Sequence, residues 1–540
     1  MTDTGSLNLR WSHTLIAGFC AAGVQDAVIS PGSRSTPLAL ALLRQPAIRS
    51  HVVVDERCAA FFALGLAKAS GRPTLIVATS GTAPANWYPA IIEASQTGVP
   101  LLLISADRPP ELQDCGANQT IDQTRLFGAH VRASHLLGLP DDTVPAGYLH
   151  RLAAHCHEQA TWPLPGPVHL NQPFREPLVT DSDEGVDIPA AIINHSPTSQ
   201  PDVGDIVALA QSIAGRPGVI VCGEMPARPG QSEAIIDLAE RLACPILAEP
   251  LSGLRFGSHD RSRVATRYGR WLAQADTPRP EWIIRFGAFP LTRQLQQFLG
   301  QPVETHALIE PWPRWSDPAH RLTHHLRGEP PAVCRALIGQ TPEPCPAGWS
   351  EQFAELEMHF PAVADNPLAV IVGELPADGA LFVGNSLAIR ELDHHASGAA
   401  HPLNLYANRG ASGIDGNIST AMGIAAQHGH GVAVIGDLTA QHDLGGLALA
   451  QGRDVVIVVL NNGGGGIFAH LPQRQLPEFE QGWLTPQAVS FAHAAGTFGL
   501  QYACARSSDE LRQALRSAQS TGGSWLVEMC LDISEPVASR

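Results

Sequence analysis

A recurrence constrains this chain more than anything else in it: short, wholly apolar runs, each followed by a helix-like segment, repeat along most of its 540 residues. AVIS (27–30), VVV (52–54), TLIVAT (74–79) and PLLLIS (100–105) form a first set. PGVIVCG (217–223), PILAE (245–249), WIIRFG (282–287) and HALIE (306–310) form a second. ALFVGN (380–385), GVAVIGD (431–437), DVVIVVLNN (454–462) and SWLVEM (524–529) form a third, whose rhythm resembles the first. Runs without polar alternation suit strands buried on both faces, so the pattern predicts α/β domains built on doubly wound parallel sheets. The polar, Pro-rich stretches HSPTSQPDVG (195–204) and GQTPEPCPAG (339–348) separate the sets. Three domains are therefore expected, at 1–190, 200–345 and 350–540. At the start of the chain, Trp11, Leu15, Ile16, Phe19 and Cys20 share one helical face, with Gly23 at its stop.

Composition narrows the class of partner. A formal charge of −16, from 35 basic and 51 acidic residues, argues against nucleic acid or an anionic membrane, both of which need a basic footprint. The ten cysteines are scattered with no CxxC pair, so neither a disulfide framework nor a zinc site is expected. MTDTGSLNLRW has no basic-then-apolar pattern, and no apolar run approaches the ~20 residues that span a bilayer. The expectation is a soluble cytoplasmic protein, and an anionic substrate would need arginines gathered locally.

The third set contains the most informative chemistry. Gly436-Asp437 and Asn461-Asn462 each end a strand pattern, which places them at the carboxyl edge of a parallel sheet, where open α/β sheets bind ligands. Either dipeptide alone is an ordinary turn signal. Together, a carboxylate and an amide oxygen are hard donors suited to Mg²⁺, whose shell is usually completed by water and phosphate oxygens. The glycines at 463–466 let backbone approach a phosphate. A second junction, VVVDERCAAFFALGLAKASG (52–71), puts Asp55, Glu56 and Arg57 between two apolar flanks. Asp55 reads as a helix N-cap with Glu56 in the first turn, favoured by the helix dipole. The alternative is a general acid or base whose pKa is tuned by apolar surroundings.

The metal pattern resembles the signature of thiamine diphosphate enzymes. The resemblance implies Mg²⁺ (or Mn²⁺) held by Asp437, Asn462 and the carbonyl of Gly464, with Leu438 where the family often has glycine. It also implies that Glu56 shares a proton with the aminopyrimidine ring, and that a homodimer or homotetramer places each active site at a subunit interface. SPGSRSTPL (30–38), SADRPPEL (105–112), DCGANQ (114–119), GNSLAIR (384–390) and NRGASGIDG (408–416) are, as a set, similar to the 2-succinyl-5-enolpyruvyl-6-hydroxy-3-cyclohexene-1-carboxylate synthases of menaquinone biosynthesis. That likeness implies decarboxylation of 2-oxoglutarate and 1,4-addition of the succinyl carbanion equivalent to isochorismate. Both substrates are dianions, and arginine suits carboxylates through its bidentate fork.

On this resemblance Ser386, Arg390 and Arg409 meet the succinyl carboxylate, while Ser33, Arg34, Arg108, Asn118 and Gln119 serve isochorismate. Ile414 resembles the bulky residue that bends the cofactor, and Ile467, Phe468 and Leu471 would form an apolar wall. Arg293 falls where relatives have a lysine, and Gln294 replaces an arginine found in some of them. Two rivals remain at this stage. One is another thiamine-dependent decarboxylase or acetolactate synthase, which has no need of four clustered arginines for pyruvate; the other is a non-catalytic nucleotide-binding protein of the same fold.

Overall fold

The computed structural model describes residues 3–181, 186–226, 228–273, 277–361 and 363–531, so the outer ends of the expected first and third domain spans lie outside the described residues. Three six-stranded sheets form, with every strand pair parallel. In spatial order the first is Arg49–Val52, Asp26–Ile29, Thr74–Ala78, Leu101–Asp107, Pro167–Pro173 and Ala133–Leu136. The third is Leu403–Tyr406, Gly379–Val383, His430–Gly436, Asp454–Asn461, Ser524–Cys530 and Gln501–Ala505, the same winding order as the first. The second winds differently: His324–Leu326, Thr305–Ile309, Trp282–Phe286, Gly218–Cys222, Ile246–Ala248 and Val264–Ala265. Central strands such as Thr74–Ala78 and Trp282–Phe286 are buried at every residue, as their unbroken apolar runs require.

The strands that apolar runs do not announce are edge strands or polar ones. Pro167–Pro173 is wholly buried, yet reads PVHLNQP. It is stabilised by side-chain pairing: Ser105 Oγ lies 2.7 Å from His169 Nε2, Asn171 Nδ2 donates to Asp107 Oδ2 at 2.7 Å, and Trp11 Nε1 donates to Gln172 Oε1 at 2.9 Å. The VVV expectation needs correction. The edge strand is Arg49–Val52, and Val53 and Val54 lie in the connection that follows. Edge position leaves Val52 58% and Val54 81% exposed, so within one chain the apolar surroundings expected before Glu56 are only half present.

The helix Glu56–Ser70 lies on the first sheet and crosses the helix Asn417–His428 of the third. Both are buried along most of their length, from Cys58 to Ala67 and from Asn417 to Ala425. Glycines permit the close crossing. A Cβ on Gly65 would fall 2.1 Å from the carbonyl oxygen of Thr420, and one on Gly423 would fall 2.1 Å from that of Phe62. One apolar cluster consequently runs from Ile76 and Leu103 of the first sheet to Ile435 and Ile457 of the third.

The second sheet has its own core and joins the third through a buried ion pair. Arg255 uses all five N–H donors: toward the carbonyls of Ala248, Asp393 and Ala396, the Tyr268 hydroxyl and the Asp393 carboxylate. Saturation of this kind is what makes a buried guanidinium tolerable. No helix among the described residues is long and apolar enough to cross a membrane.

Substituting Gly65 by Leu forces the two helices apart and is expected to cost about 1–3 kcal/mol, the usual range for overpacking. Gly339→Ala, where an added Cβ meets nothing within 4 Å, serves as the control and should match or slightly exceed wild type. Urea midpoints measured side by side decide; equal midpoints for Gly65→Leu and wild type would contradict the crossing.

Candidate active site

At the carboxyl edge of the third sheet, four neighbouring strands deliver the side chains that the motifs single out. After Gly379–Val383 the chain turns through Ser386, held at φ 67°, into the helix Leu387–His395, which carries Arg390. After Leu403–Tyr406 comes Arg409, whose guanidinium donates to Asn385 Oδ1 at 2.5 Å. The amide of Asn385 donates to the carbonyls of Asn408 at 2.8 Å and Gly413 at 2.7 Å. One side chain thus ties three segments. Burial, and then the charge of Arg409, push the Arg390 guanidinium below its ordinary value. Neither arginine has a carboxylate within ion-pair distance among the described residues. Two cations set side by side without an acid form a receptor for an anion.

The Asn408–Ala411 loop is fixed from the first sheet. Glu93, buried on the helix Tyr88–Thr97, accepts from the amides of Gly410 at 2.9 Å and Ala411 at 2.7 Å. Lys68 stands 3.8 Å from Glu93 and donates to the carbonyl of Ala407. Charge-assisted hydrogen bonds of this kind contribute about 1.5–3 kcal/mol each.

Beside the arginines, Asp437 follows His430–Gly436 and is buried. Burial raises its carboxyl, opposed by the amides of Leu438, at 2.9 Å from Oδ1, Gly464 and Gly463. The loop 462–464 therefore lies against Asp437. The two asparagines divide the work. Asn461 is engaged, accepting from the Gly463 amide at 3.0 Å and donating to Glu528 at 2.7 Å. Asn462 Oδ1 is buried and has no hydrogen-bond partner. Gly464 sits at φ 141°, and its absent Cβ would fall 2.2 Å from the Leu484 carbonyl, so glycine here serves contact between two loops. Among the described residues no cluster of three His, Cys, Asp or Glu side chains is placed to hold a metal ion.

Ile414, 38% exposed, and Leu471, 40% exposed, flank this region with the half-buried Leu438, Ile467 and Phe468. Arg293 opens the helix Arg293–Leu299 on the second sheet and is exposed. The preceding Leu291 donates its amide to Glu249 and packs on the third-sheet core. Burial and the Asp393 charge raise the Glu249 carboxyl to about 8.

A second group gathers at the carboxyl edge of the first sheet. Arg34 is buried, donating to the Phe174 carbonyl at 3.0 Å and to Glu176 at 2.9 Å, while its Nε has no partner. These contacts give Arg34 a structural task that its motif does not announce. Arg108 donates to Ser80 Oγ, and its guanidinium is lowered by burial and then by the Arg34 charge. Gln119, at φ 55°, donates to the Ser80 carbonyl at 3.0 Å, and Ser33 and Asn118 stand exposed nearby in sequence. No hydrogen bond or ion pair among the described residues links this group to Arg390, Arg409, Asp437 or Asn462.

Locally the cap reading of the DER junction holds. Asp55 is the cap, accepting from the Cys58 amide at 3.1 Å, and Glu56 is the half-buried first residue of the helix. Arg57 donates to the His442 carbonyl at 3.1 Å and lies 3.7 Å from Asp443. Glu56 therefore sits near the far end of the short helix Asp437–His442, which separates its two ends by roughly 8 Å. Glu93, Lys68, Asn385 and Asp443 are organising residues that motif reading passes over. Their signal, a polar group inside an apolar helix or strand end, gains meaning only from what it faces.

Residues 10–126 match the thiamine pyrophosphate enzyme N-terminal TPP binding domain, and residues 392–529 the corresponding C-terminal TPP binding domain. A 2-succinyl-5-enolpyruvyl-6-hydroxy-3-cyclohexene-1-carboxylate synthase of Dechloromonas aromatica is 60% identical over 98% of this chain and 99% of its own length. The enzyme of the same name from Geobacillus kaustophilus is 39% identical over 98% and 96%. Among solved structures, benzoylformate decarboxylase from Polynucleobacter necessarius superposes with a TM-score of 0.74 over 98% of this chain and 99% of its own, at 18% identity, a likeness of fold.

Burial raises the Asp443 carboxyl from 3.8 to about 6. Between those values the folded chain binds more protons than the unfolded one, so stability falls as pH rises through about 4 to 6. The full effect is roughly 3 kcal/mol. Asp443→Asn should flatten that slope, seen as a pH-dependent difference in urea midpoint from wild type between pH 4 and 7; parallel profiles would contradict the assignment.

Proposed function

The chain belongs to the 2-succinyl-5-enolpyruvyl-6-hydroxy-3-cyclohexene-1-carboxylate synthase family of thiamine diphosphate enzymes, and from that premise we propose which of its residues perform the reaction. The enzyme acts in menaquinone biosynthesis, decarboxylating 2-oxoglutarate and adding the succinyl carbanion equivalent to isochorismate. The observation that supports the site assignment most directly is the pair Arg390 and Arg409, half-buried side by side with no carboxylate within ion-pair distance among the described residues, at the same sheet edge as the oxygen donors Asp437 and Asn462.

Those donors fit a magnesium ion. The orphaned Oδ1 of Asn462 and the buried Asp437 carboxylate, with the Gly464 carbonyl, are hard ligands of the kind Mg²⁺ takes, and Mn²⁺ is the alternative. The ion would hold the diphosphate of the cofactor. Thiamine diphosphate, when bound, supplies the carbon that takes up the electron pair released with CO₂. Ile414 braces the cofactor, and Ser386, Leu438, Ile467 and Phe468 line its seat. Glu56 holds a proton on its carboxyl against the aminopyrimidine nitrogen, a role that needs proximity and a tuned acid.

Arg390, Arg409 and Ser386 neutralise the 2-oxo acid's distal carboxylate. Arg34, Arg108, Ser33, Asn118 and Gln119 orient isochorismate, with Phe468 and Leu471 as its apolar wall and Arg293 as a further charge from the second sheet. Arg390 and Arg409, unpaired before substrate arrives, need no reorganisation when it binds.

The active unit is a cytoplasmic homodimer, or two such dimers, with each site shared between chains. Two observations support this reading. Within one chain Glu56 lies near the end of the Asp437–His442 helix remote from Asp437, and the approach to Glu56 is flanked by exposed Val52 and Val54. A second copy would cover those valines and bring its metal site to Glu56. The three units correspond to 1–190, 200–345 and 350–540, the first contributing Glu56 and the third the metal.

Purified enzyme given thiamine diphosphate, Mg²⁺, 2-oxoglutarate and isochorismate should consume isochorismate, and pyruvate should not replace 2-oxoglutarate; the reverse preference would contradict the reading. Glu56→Gln should keep the cofactor yet lose most turnover. Mixing Glu56→Gln with Asn462→Ala chains under subunit exchange should restore about a quarter of the sites, because half the dimers are mixed and each holds one intact site. No recovery despite proven exchange would place both residues of a site on one chain.

A further inference from the structure

Away from these residues, a cavity of about 290 Å³ opens between the second and third sheets, against the helix Trp349–His359. Its size reaches the lower end of small-molecule sites. Three arginines, Arg261, Arg263 and Arg267, line it together with Thr266, Ser397 and Glu357. In a chain with net charge −16 such a concentration of cations calls for a chemical reason.

The acids nearby do not neutralise it. Glu357 is already spent: it accepts from the Arg267 amide at 2.8 Å, from Trp271 Nε1 at 2.9 Å and from Thr266 Oγ1 at 3.4 Å, and it pairs with the Arg267 guanidinium at 3.4 Å. Asp260 accepts from the amide and hydroxyl of Ser262, both at 2.8 Å, and feels Arg263 only as a more distant charge. Arg263 makes no side-chain hydrogen bond or ion pair among the described residues. Arg261 has a single weak contact, to the Arg255 carbonyl at 3.4 Å. The Nε atoms of Arg261 and Arg267 are buried without partners, a cost that an incoming acceptor would remove.

We propose that this cavity binds a small molecule bearing two or more anionic oxygens, a phosphate ester or a dicarboxylate, at the junction of the second and third sheets. Arg261 and Arg263 supply the free charge, Arg267, which already donates to Ser397 Oγ at 3.2 Å and to the Glu357 carbonyl at 2.7 Å, a partly committed one, and the Ser397 hydroxyl a neutral hydrogen bond. The back of the cavity is Arg255, whose partner Asp393 lies on the helix that carries Arg390. A ligand here touches both sheets and so tightens their junction. The site is separate from the cofactor and substrate residues, and its existence does not rest on their assignment.

The test uses holoenzyme loaded with thiamine diphosphate and Mg²⁺, titrated with inorganic phosphate in one arm and malonate in the other, read by calorimetry and thermal melting. Saturable binding with a rise in Tm in either arm is expected, and the arm that responds identifies the source of the anionic oxygens. Arg261→Gln/Arg263→Gln should weaken it by about tenfold or more, as loss of charge-assisted contacts implies, while Arg390→Gln retains it. Should the double variant melt early, Arg263→Gln alone, which removes a side chain with no partner to lose, is the measure. Stabilisation that never saturates, or is equal in wild type and the Arg263 variants, reduces the effect to ionic strength and overturns the site. Loss in Arg390→Gln instead assigns the binding to the substrate residues and overturns it equally.

Discussion

The crossing of the helices Glu56–Ser70 and Asn417–His428 at Gly65 and Gly423 is the contact on which the rest of the arrangement depends. Two helices that approach backbone to backbone leave no room for sliding, because interiors are close-packed and resist small displacements. The crossing merges the apolar layers of the first and third sheets into one core. It also sets the start of one helix, and with it Glu56, against the segment that begins at Asp437. Loss of either glycine would disturb Glu56 and the Asp437 segment together.

A second constraint is electrostatic. The chain is acidic overall, yet it places unpaired arginines where strands of the third sheet end. Like charges at close range are unfavourable alone, so the loops that bear them need external anchors. Glu93 holds the amides of the Arg409 loop from the first sheet, and Asn385 ties that loop to the turn before Arg390. A bound anion would relieve that repulsion. The junction with the second sheet follows the opposite rule: Arg255 and Asp393 satisfy each other, with Tyr268 between them.

How legible this was depends on the element. Central strands such as TLIVA and WIIRF were plain because burial on both faces demands an unbroken apolar run. The strand PVHLNQP was hidden, since its burial is stabilised by hydrogen bonds to partners more than 60 residues away in sequence. The valines at 52–54 misled for a related reason: an edge position leaves two of them in solvent, and a run of three cannot report what a neighbouring chain would cover. Among the candidate site residues, Asp437 and Asn462 were singled out by strand-end position, whereas Glu93, a single acid in an apolar helix, gave no sign of the amides it receives.

By itself the sequence determined the layered α/β class, the parallel sense of the sheets and the residue types able to hold a metal, a diphosphate and two dianions, because these follow from local periodicity and from chemistry at strand ends. Only the tertiary structure decided which of two adjacent asparagines keeps a free oxygen, which arginines are already paired, and at which end of the Asp437 helix Glu56 comes to rest. Those outcomes depend on contacts between segments 67 to 385 residues apart, and an isolated stretch of chain contains no record of its distant neighbours.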